Sequence, residues 1–364
     1  MIQTDIAIIG GGISGLYLAA ELQAAGADFR VFEARERVGG RILCTGEADC
    51  LQGYDLGPSW FWPGQPRMAA LLRAAGLNAY PQYSRGDLVY EEMPGDVRQL
   101  NFSTMEGALR VENGMGSLIR YLSSRSDTHR LTSATALSKV RHLPGEAYCW
   151  QLTLNRAGEQ QLLKAKAVVL AVSPRVIAKT VQFEPPLAAH ALQSLQAIPT
   201  WMGRFTKVIA EYETPFWREM NLSGDAISRA GPLQEIHDAS LPGASAGALF
   251  GFLQQLPRDT ESEALQQQVT GQLVRLFGRQ AANPLSISFR DWSAQPYTAT
   301  AEDWAESLSG HPQYGLPDSL KRLSSQGLLF TATEMAHQSG GLLEGALEAA
   351  DAGLTHLRAL GLVN

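Results

Sequence analysis

The sequence predicts an α/β fold: a nucleotide-binding Rossmann domain into which a second, strand-rich α+β domain, a mixed sheet plus helices, is inserted. Three observations carry this expectation. A strand, a glycine turn, a helix and a second strand open the chain in "DIAIIGGGISGLYLAAELQAAGADFRVFEA". An apolar strand run recurs in "AKAVVLAVSP", and an alternating strand region fills much of 201–290 before a final strand and helix close the chain.

The opening unit runs from an apolar strand, Ile6 to Ile9, through a helix from about Ser14 to Ala25, to a strand from Phe29 to Glu33. Gly10, Gly12 and Gly15 fit GxGxxG. The first allows the tight turn, the second lets a pyrophosphate approach the backbone, and the third lets helix and strand pack closely. Glu33, at the second strand's end, can accept hydrogen bonds from both ribose hydroxyls of an adenosine. The acid does not by itself distinguish NAD from FAD. "ARERVGGR" follows, with Arg35, Arg37 and Arg41 around Gly39 and Gly40, a second close backbone approach with positive charge that suits a diphosphate.

Further along, "MAALLRAAGL" reads as a helix with Leu71, Leu72 and Ala75 on one stripe, and "RGDLVYEEM" and "DVRQLNFS" as strands. "VENGMGSLIRYLSS" turns into a helix, and "AKAVVLAVSP" suits a buried parallel strand closed by Ser173 and Pro174. In "WMGRFTKVIAEYETPFW" the positions Phe205, Lys207, Ile209 and Glu211 alternate, as does "GALFGFLQQL". "ESEALQQQVTGQLVRLFG" is an amphipathic helix with Leu265, Val269, Leu273 and Leu276 on one stripe. "QSGGLLEGA" reads as a capped helix start. No repeat or Pro/Ser-rich linker separates these parts, so the domains should be intertwined.

Composition narrows the function. With 364 residues, 45% apolar and 18% charged, the chain can bury two sizeable cores. A formal charge of −6 without a basic run gives no footprint for nucleic acid, so the expected partner is a small molecule. Cys44, Cys50 and Cys149 have no CxxC spacing, which suggests neither a disulfide framework nor a zinc site. No apolar run approaches the roughly 18 residues of a membrane span. A cytoplasmic protein is expected, with its oligomeric state open.

"GGGISG", "VFEARERVGGR" and "YDLGPSW" resemble the opening of the flavin-containing monoamine oxidase family, within the glutathione-reductase-like FAD enzymes. "GLLFTATEMAHQSGGLLEGALEAADAGL" is similar to the family's C-terminal FAD motif, so the resemblance spans nearly the whole chain. It implies an FAD-binding Rossmann domain at 1–80, 112–195 and 290–364, and a substrate domain at 81–111 and 196–289. It also implies FAD contacts at Gly10, Gly12, Ile13, Ser14, Gly15, Glu33, Ala34, Arg35, Gly40 and Arg41. Gly57, Pro58, Ser59 and Trp60 would pass under the flavin, with Leu137 on the adenine and Trp292 near the flavin. Thr333 and Glu334 would meet the ribityl and phosphate part, and the amides near Leu342 and Leu343 the pyrimidine edge. That edge gains negative charge on reduction, which a helix N-terminus suits.

The same resemblance points to the chemistry. Lys207 matches the family lysine that holds a water beside flavin N5, a catalytic-support role in proton movement or reoxidation. A lysine on an apolar face is costly unless paired or neutralised. Aromatic clusters fall where the family builds its substrate cavity, lined here by Trp60, Phe205 and Tyr297, with Leu342 opposite Tyr297. Three departures stand out. Pro296 sits where animal monoamine oxidases carry the cysteine bonded to FAD, so non-covalent FAD is implied. Leu342 replaces one wall of an aromatic pair, and the stretch between "YEEM" and "VENGMGS" lacks helices that roof the cavity in larger enzymes. The implied reaction is oxidation of an amine by hydride transfer to FAD, with oxygen as acceptor and peroxide as product. The alternatives are the same fold on a non-amine donor, such as a dihydropyridine or a desaturation substrate, or a flavin-binding protein without turnover.

Overall fold

The computed structural model describes residues 2–46, 53–253, 262–306 and 310–364. Cys50, Glu261 and the last three residues of "GALFGFLQQL" lie outside them. Two large sheets organise the described residues. The first has eight strands in the order 182–184, 135–142, 150–156, 159–170, 2–9, 29–32 and 131–132, with 328–330 added alongside the C-terminal half of 159–170.

The opening unit forms as the glycine spacing predicts. Ile2–Ile9 runs parallel to Phe29–Phe32, with Ile6 opposite Phe29 and Ile9 opposite Phe32. The helix between them is Ile13–Ala24. Gly10 sits at φ +107°, and a Cβ on it would come within 2.6 Å of the Ala171 carbonyl oxygen, so only glycine serves there. A Cβ on Gly15 would lie 2.0 Å from the Gly10 carbonyl oxygen, which makes the third glycine the one that seats helix on strand.

The "AKAVVLAVSP" strand is longer than its apolar run. Glu159–Leu170 pairs antiparallel with Trp150–Arg156 at its polar end, and parallel with Ile2–Ile9 and Leu328–Phe330 at its apolar end. Only the second half is buried on both faces, which is why only that half reads as continuous hydrophobicity. The C-terminal helix, Leu343–Ala359, packs against Ile13–Ala24, with Leu18, Leu22, Leu354 and Leu357 in one core with Ile6 and Ile8.

The second sheet has seven strands in the order 286–291, 206–212, 247–253, 233–238, 222–228, 87–91 and 97–100. The helix Ser262–Phe277 covers one face, its Val269, Leu273 and Leu276 in a core with Val208, Ala210 and Tyr212. The other face turns Ile209 and Phe250 toward Leu56 and Trp292. Thr206–Tyr212 is therefore buried on both sides, and the alternation Phe205, Lys207, Ile209, Glu211 sorts residues between two cores instead of between core and solvent. Phe205 precedes the strand, its carbonyl taken by the Trp292 amide at 3.1 Å.

Candidate active site

The first and second sheets meet around a cavity of about 510 Å³, within the range of cofactor and substrate sites. Nearly every residue the sequence singles out lines it. Gly10, Gly12, Ile13 and Ser14 stand at one end with Glu33, Ala34, Arg35, Gly40, Arg41 and Leu137. Gly57, Pro58, Ser59 and Trp60 follow, with Phe205, Lys207, Trp292 and Tyr297 and the turn at Leu342 and Leu343. Gly15 and Glu334 stand behind this wall: Gly15 in the helix–strand contact, and Glu334 fully buried as the partner of Arg41.

The buried Glu33 carboxylate shapes the nucleotide end. One oxygen accepts from the Gly11 amide at 2.7 Å and the other from the Arg35 amide at 2.8 Å. Each carboxylate oxygen keeps further acceptor capacity for a ribose hydroxyl. "RVGGR" then packs directly onto the first turn: Gly12 and Gly39 form a parallel bridge, and a Cβ on Gly40 would approach the Gly12 Cα to 3.2 Å.

The arginines brace this loop more than they line a charged channel. Arg37 donates to the carbonyls of Val38, Gly40 and Ile42. Arg41 grips Glu334 with two nitrogens, at 2.6 and 3.1 Å, and donates to the Trp201 carbonyl. Arg35 reaches the Pro296 carbonyl and the Thr298 hydroxyl, both at 2.5 Å. It thereby clamps both neighbours of Tyr297, whose φ of +62° is rare for a non-glycine residue.

Two helix N-termini open onto the cavity. The N-caps are Gly12, for Ile13–Ala24, and Leu342, for Leu343–Ala359, and neither has a side-chain capping bond. "QSGG" is thus not a serine cap: the helix begins at an extended leucine, φ −92° and ψ 170°, whose carbonyl takes the Thr333 hydroxyl at 2.6 Å. Uncapped amides with the positive ends of two macrodipoles form a donor set suited to a diphosphate at one helix and to the electron-rich pyrimidine edge of a flavin at the other. A buried acid for ribose, glycines that keep the backbone bare, and these two helix ends fit FAD.

Lys207 is 2% exposed. Its ammonium donates to the Gly57 carbonyl at 2.9 Å and the Ser59 hydroxyl at 2.5 Å, and lies 4.0 Å from the Phe250 ring centroid. Burial is the main force that pushes its pKa down, to about 7. The Arg110 guanidinium adds to the fall, and Asp55 opposes it. Behind it, Asp55 accepts from the Met115 amide at 2.7 Å and lies 3.7 Å from Arg110, both 2% exposed. Trp60 and Trp292 are fixed by their indole N–H groups, on Gln82 and on the Leu56 carbonyl.

Among the residues of this site that no sequence motif singles out are Asp55, Arg110, Trp201, Glu235 and Phe252. Trp201, Glu235 and Phe252 line the cavity. Asp55 carried a local signal, an acid inside the otherwise apolar "YDLGPSW", whereas Glu235 and Phe252 reach the site through strand register.

The family model described as flavin containing amine oxidoreductase matches residues 93–352, and one described as an NAD(P)-binding Rossmann-like domain matches 8–75. Among curated proteins, amine oxidase [flavin-containing] B of Sus scrofa is 24% identical, over 95% of this chain and 84% of its own. Putrescine oxidase of Kocuria rosea is 23% identical, over 96% and 95%. Two solved structures share the fold, each with a TM-score of 0.78 at 20% identity, covering 98% of this chain and 99% of theirs. One is putrescine oxidase bound to putrescine, and the other is cyclohexylamine oxidase from Brevibacterium oxydans. With the amine oxidoreductase model matched over well more than half of its length, and a cavity built for FAD, this chain belongs to the flavin-containing amine oxidoreductase family.

Proposed function

We propose that the protein oxidises an amine with non-covalently held FAD, passes the electrons to molecular oxygen and releases peroxide. The carrying observation is Lys207, a buried lysine with a near-neutral pKa, hydrogen-bonded to Gly57 and Ser59 on the wall of the cavity that Glu33 and the two helix ends build. When bound, FAD supplies the two-electron oxidation of the amine's α-carbon. The rest is the work of side chains. Trp60, Phe205 and Tyr297 exclude water from the reacting carbon, and Lys207 can hold or release a proton near neutral pH. Pro296, at the position of the family's linking cysteine, has no nucleophile to bond FAD.

We also read the division of the chain as an FAD domain at 1–80, 112–195 and 290–364, with a substrate domain at 81–111 and 196–289. All eight strands of the first sheet fall in the former, and the second sheet lies in the latter except for the last two residues of its strand 286–291.

The test is anaerobic mixing of the yellow holoprotein with a panel of amines, followed by oxygen. The expected result is bleaching of visible absorbance by at least one amine, recovery on aeration and one peroxide per amine. Bleaching by a dihydronicotinamide and by no amine would overturn the reading. Acid precipitation should release all the flavin to the supernatant.

A further inference from the structure

The second sheet places three cavity-lining side chains in one cross-strand row. Lys207 stands opposite Phe252, and Phe252 stands opposite Glu235 on its other side. At ~4.8 Å between neighbouring strands, the Lys207 and Glu235 backbones are about 10 Å apart, with an aromatic ring between them. The cavity-lining part of the row thus has an ammonium at one side and a carboxylate at the other.

Glu235 is held from behind. His237 Nε2 meets its Oε1 at 2.8 Å, and His237 Nδ1 meets Asp225 Oδ1 at 2.9 Å. Asp225 and His237 are buried at 0% and 1% exposure, whereas the Glu235 side chain is 46% exposed. Trp60 packs edge-on against the imidazole, with ring centroids 4.9 Å apart. The second Glu235 oxygen has no protein partner among the described residues. Burial works against a charged His237, but hydrogen bonds and charges from Asp225 and Glu235 raise its pKa. The His237 hydrogen bond in turn holds Glu235 below the usual carboxylate range. Asp225 alone would neutralise the imidazolium. Glu235 therefore leaves the Asp225, His237 and Glu235 set with one net negative charge, presented on the only member that reaches the cavity.

Building on the amine-oxidase reading, we infer that Glu235 is a specificity-determining residue that receives the second ammonium of a dicationic substrate, so that the enzyme selects short aliphatic diamines over monoamines. A carboxylate anchored on one oxygen and free on the other is preorganised for such a contact, and the apolar row between it and Lys207 suits a methylene chain.

The test compares putrescine with butylamine on wild-type holoenzyme, Glu235→Gln and Glu235→Asp. It also measures, by calorimetry, binding of a non-oxidisable dication, an α,ω-diamine whose amino-bearing carbons carry no hydrogen. The expected result is that Glu235→Gln lowers the putrescine-to-butylamine ratio of kcat/KM by about 10- to 100-fold, the span of a charge-assisted contact, with Glu235→Asp recovering part of it. The dication should bind wild type and lose affinity in Glu235→Gln. If amines reduce the flavin but the ratio is the same in Glu235→Gln, the inference is overturned. If no amine reduces the flavin while the dication still binds through Glu235, the subsite stands and the amine-oxidase reading fails.

Discussion

At the residue scale, Lys207 combines deep burial with a proton-carrying nitrogen. Its methylenes cross an apolar core, and its ammonium finds one carbonyl, one hydroxyl and an aromatic face. Lys207→Met keeps the packing and removes the proton-carrying nitrogen. Expected is a holoprotein with normal flavin content whose oxidation half-reaction slows by about 10²- to 10⁴-fold in stopped-flow reoxidation, the usual weight of a positioned acid or base. Leu342 gives the complementary case. Leu342→Tyr restores a π face opposite Tyr297 and should tighten amine binding by ~0.5–2 kcal/mol, read as a fall in KM with flavin content unchanged. Arg41 faces a different demand, since Glu334 behind it is fully buried. Arg41→Ala leaves that carboxylate unpaired and should cost about 3–5 kcal/mol in denaturant unfolding. An Arg41→Ala, Glu334→Leu double variant should recover much of the loss.

At the scale of elements, legibility follows locality. The opening unit is readable because Gly10, Gly12, Gly15 and Glu33 act within one strand, helix and strand, and each departure from the pattern meets a nearby atom. Gly15→Ala illustrates this: its Cβ would meet the Gly10 carbonyl at 2.0 Å. The helix must then move off the strand, at about 1–3 kcal/mol, with the cofactor turn displaced. The measurable outcome is a lowered melting temperature together with purification as mostly colourless apoprotein.

The strands of the second sheet were less legible for a physical reason. Thr206–Tyr212 separates two cores, so its alternation carries no solvent signal, and Lys207 was legible through a resemblance to family motifs. "LQEIHD" has no period-two pattern to mark it as a cavity strand, and Asp225 joins Glu235 and His237 in one connected set only through strand pairing. Phe252, a plain apolar position in a glycine-rich strand, gave no hint that it stands between an acid and a base.

The whole molecule adds a pH dependence that no single element reveals. Lys207 has a folded pKa of about 7, below its ordinary 10.5. Between those values the unfolded chain binds more protons than the fold, so this group makes stability rise as pH climbs from about 7 toward about 10.5. His237 acts in the opposite sense: its raised pKa adds stability that is fully present below the ordinary histidine value and is lost as pH rises through the folded value. Lys207→Met isolates the first effect. Urea midpoints of apoprotein at about pH 6 and about pH 9 should show the variant gaining on wild type at the acidic end and losing that advantage at the alkaline end.

The extended backbone of Leu342 has a bearing on how such enzymes diversify. Its amide and carbonyl are committed to Ser339 and to the Thr333 hydroxyl, while its side chain makes no capping bond and faces the cavity. A φ of −92° is open to any amino acid. Two duties are thus written in separate inks at one position, the main chain for the turn that sets the helix end and the side chain for the cavity. Selection, or a protein engineer, can rewrite substrate preference here without editing the machinery that holds the prosthetic group.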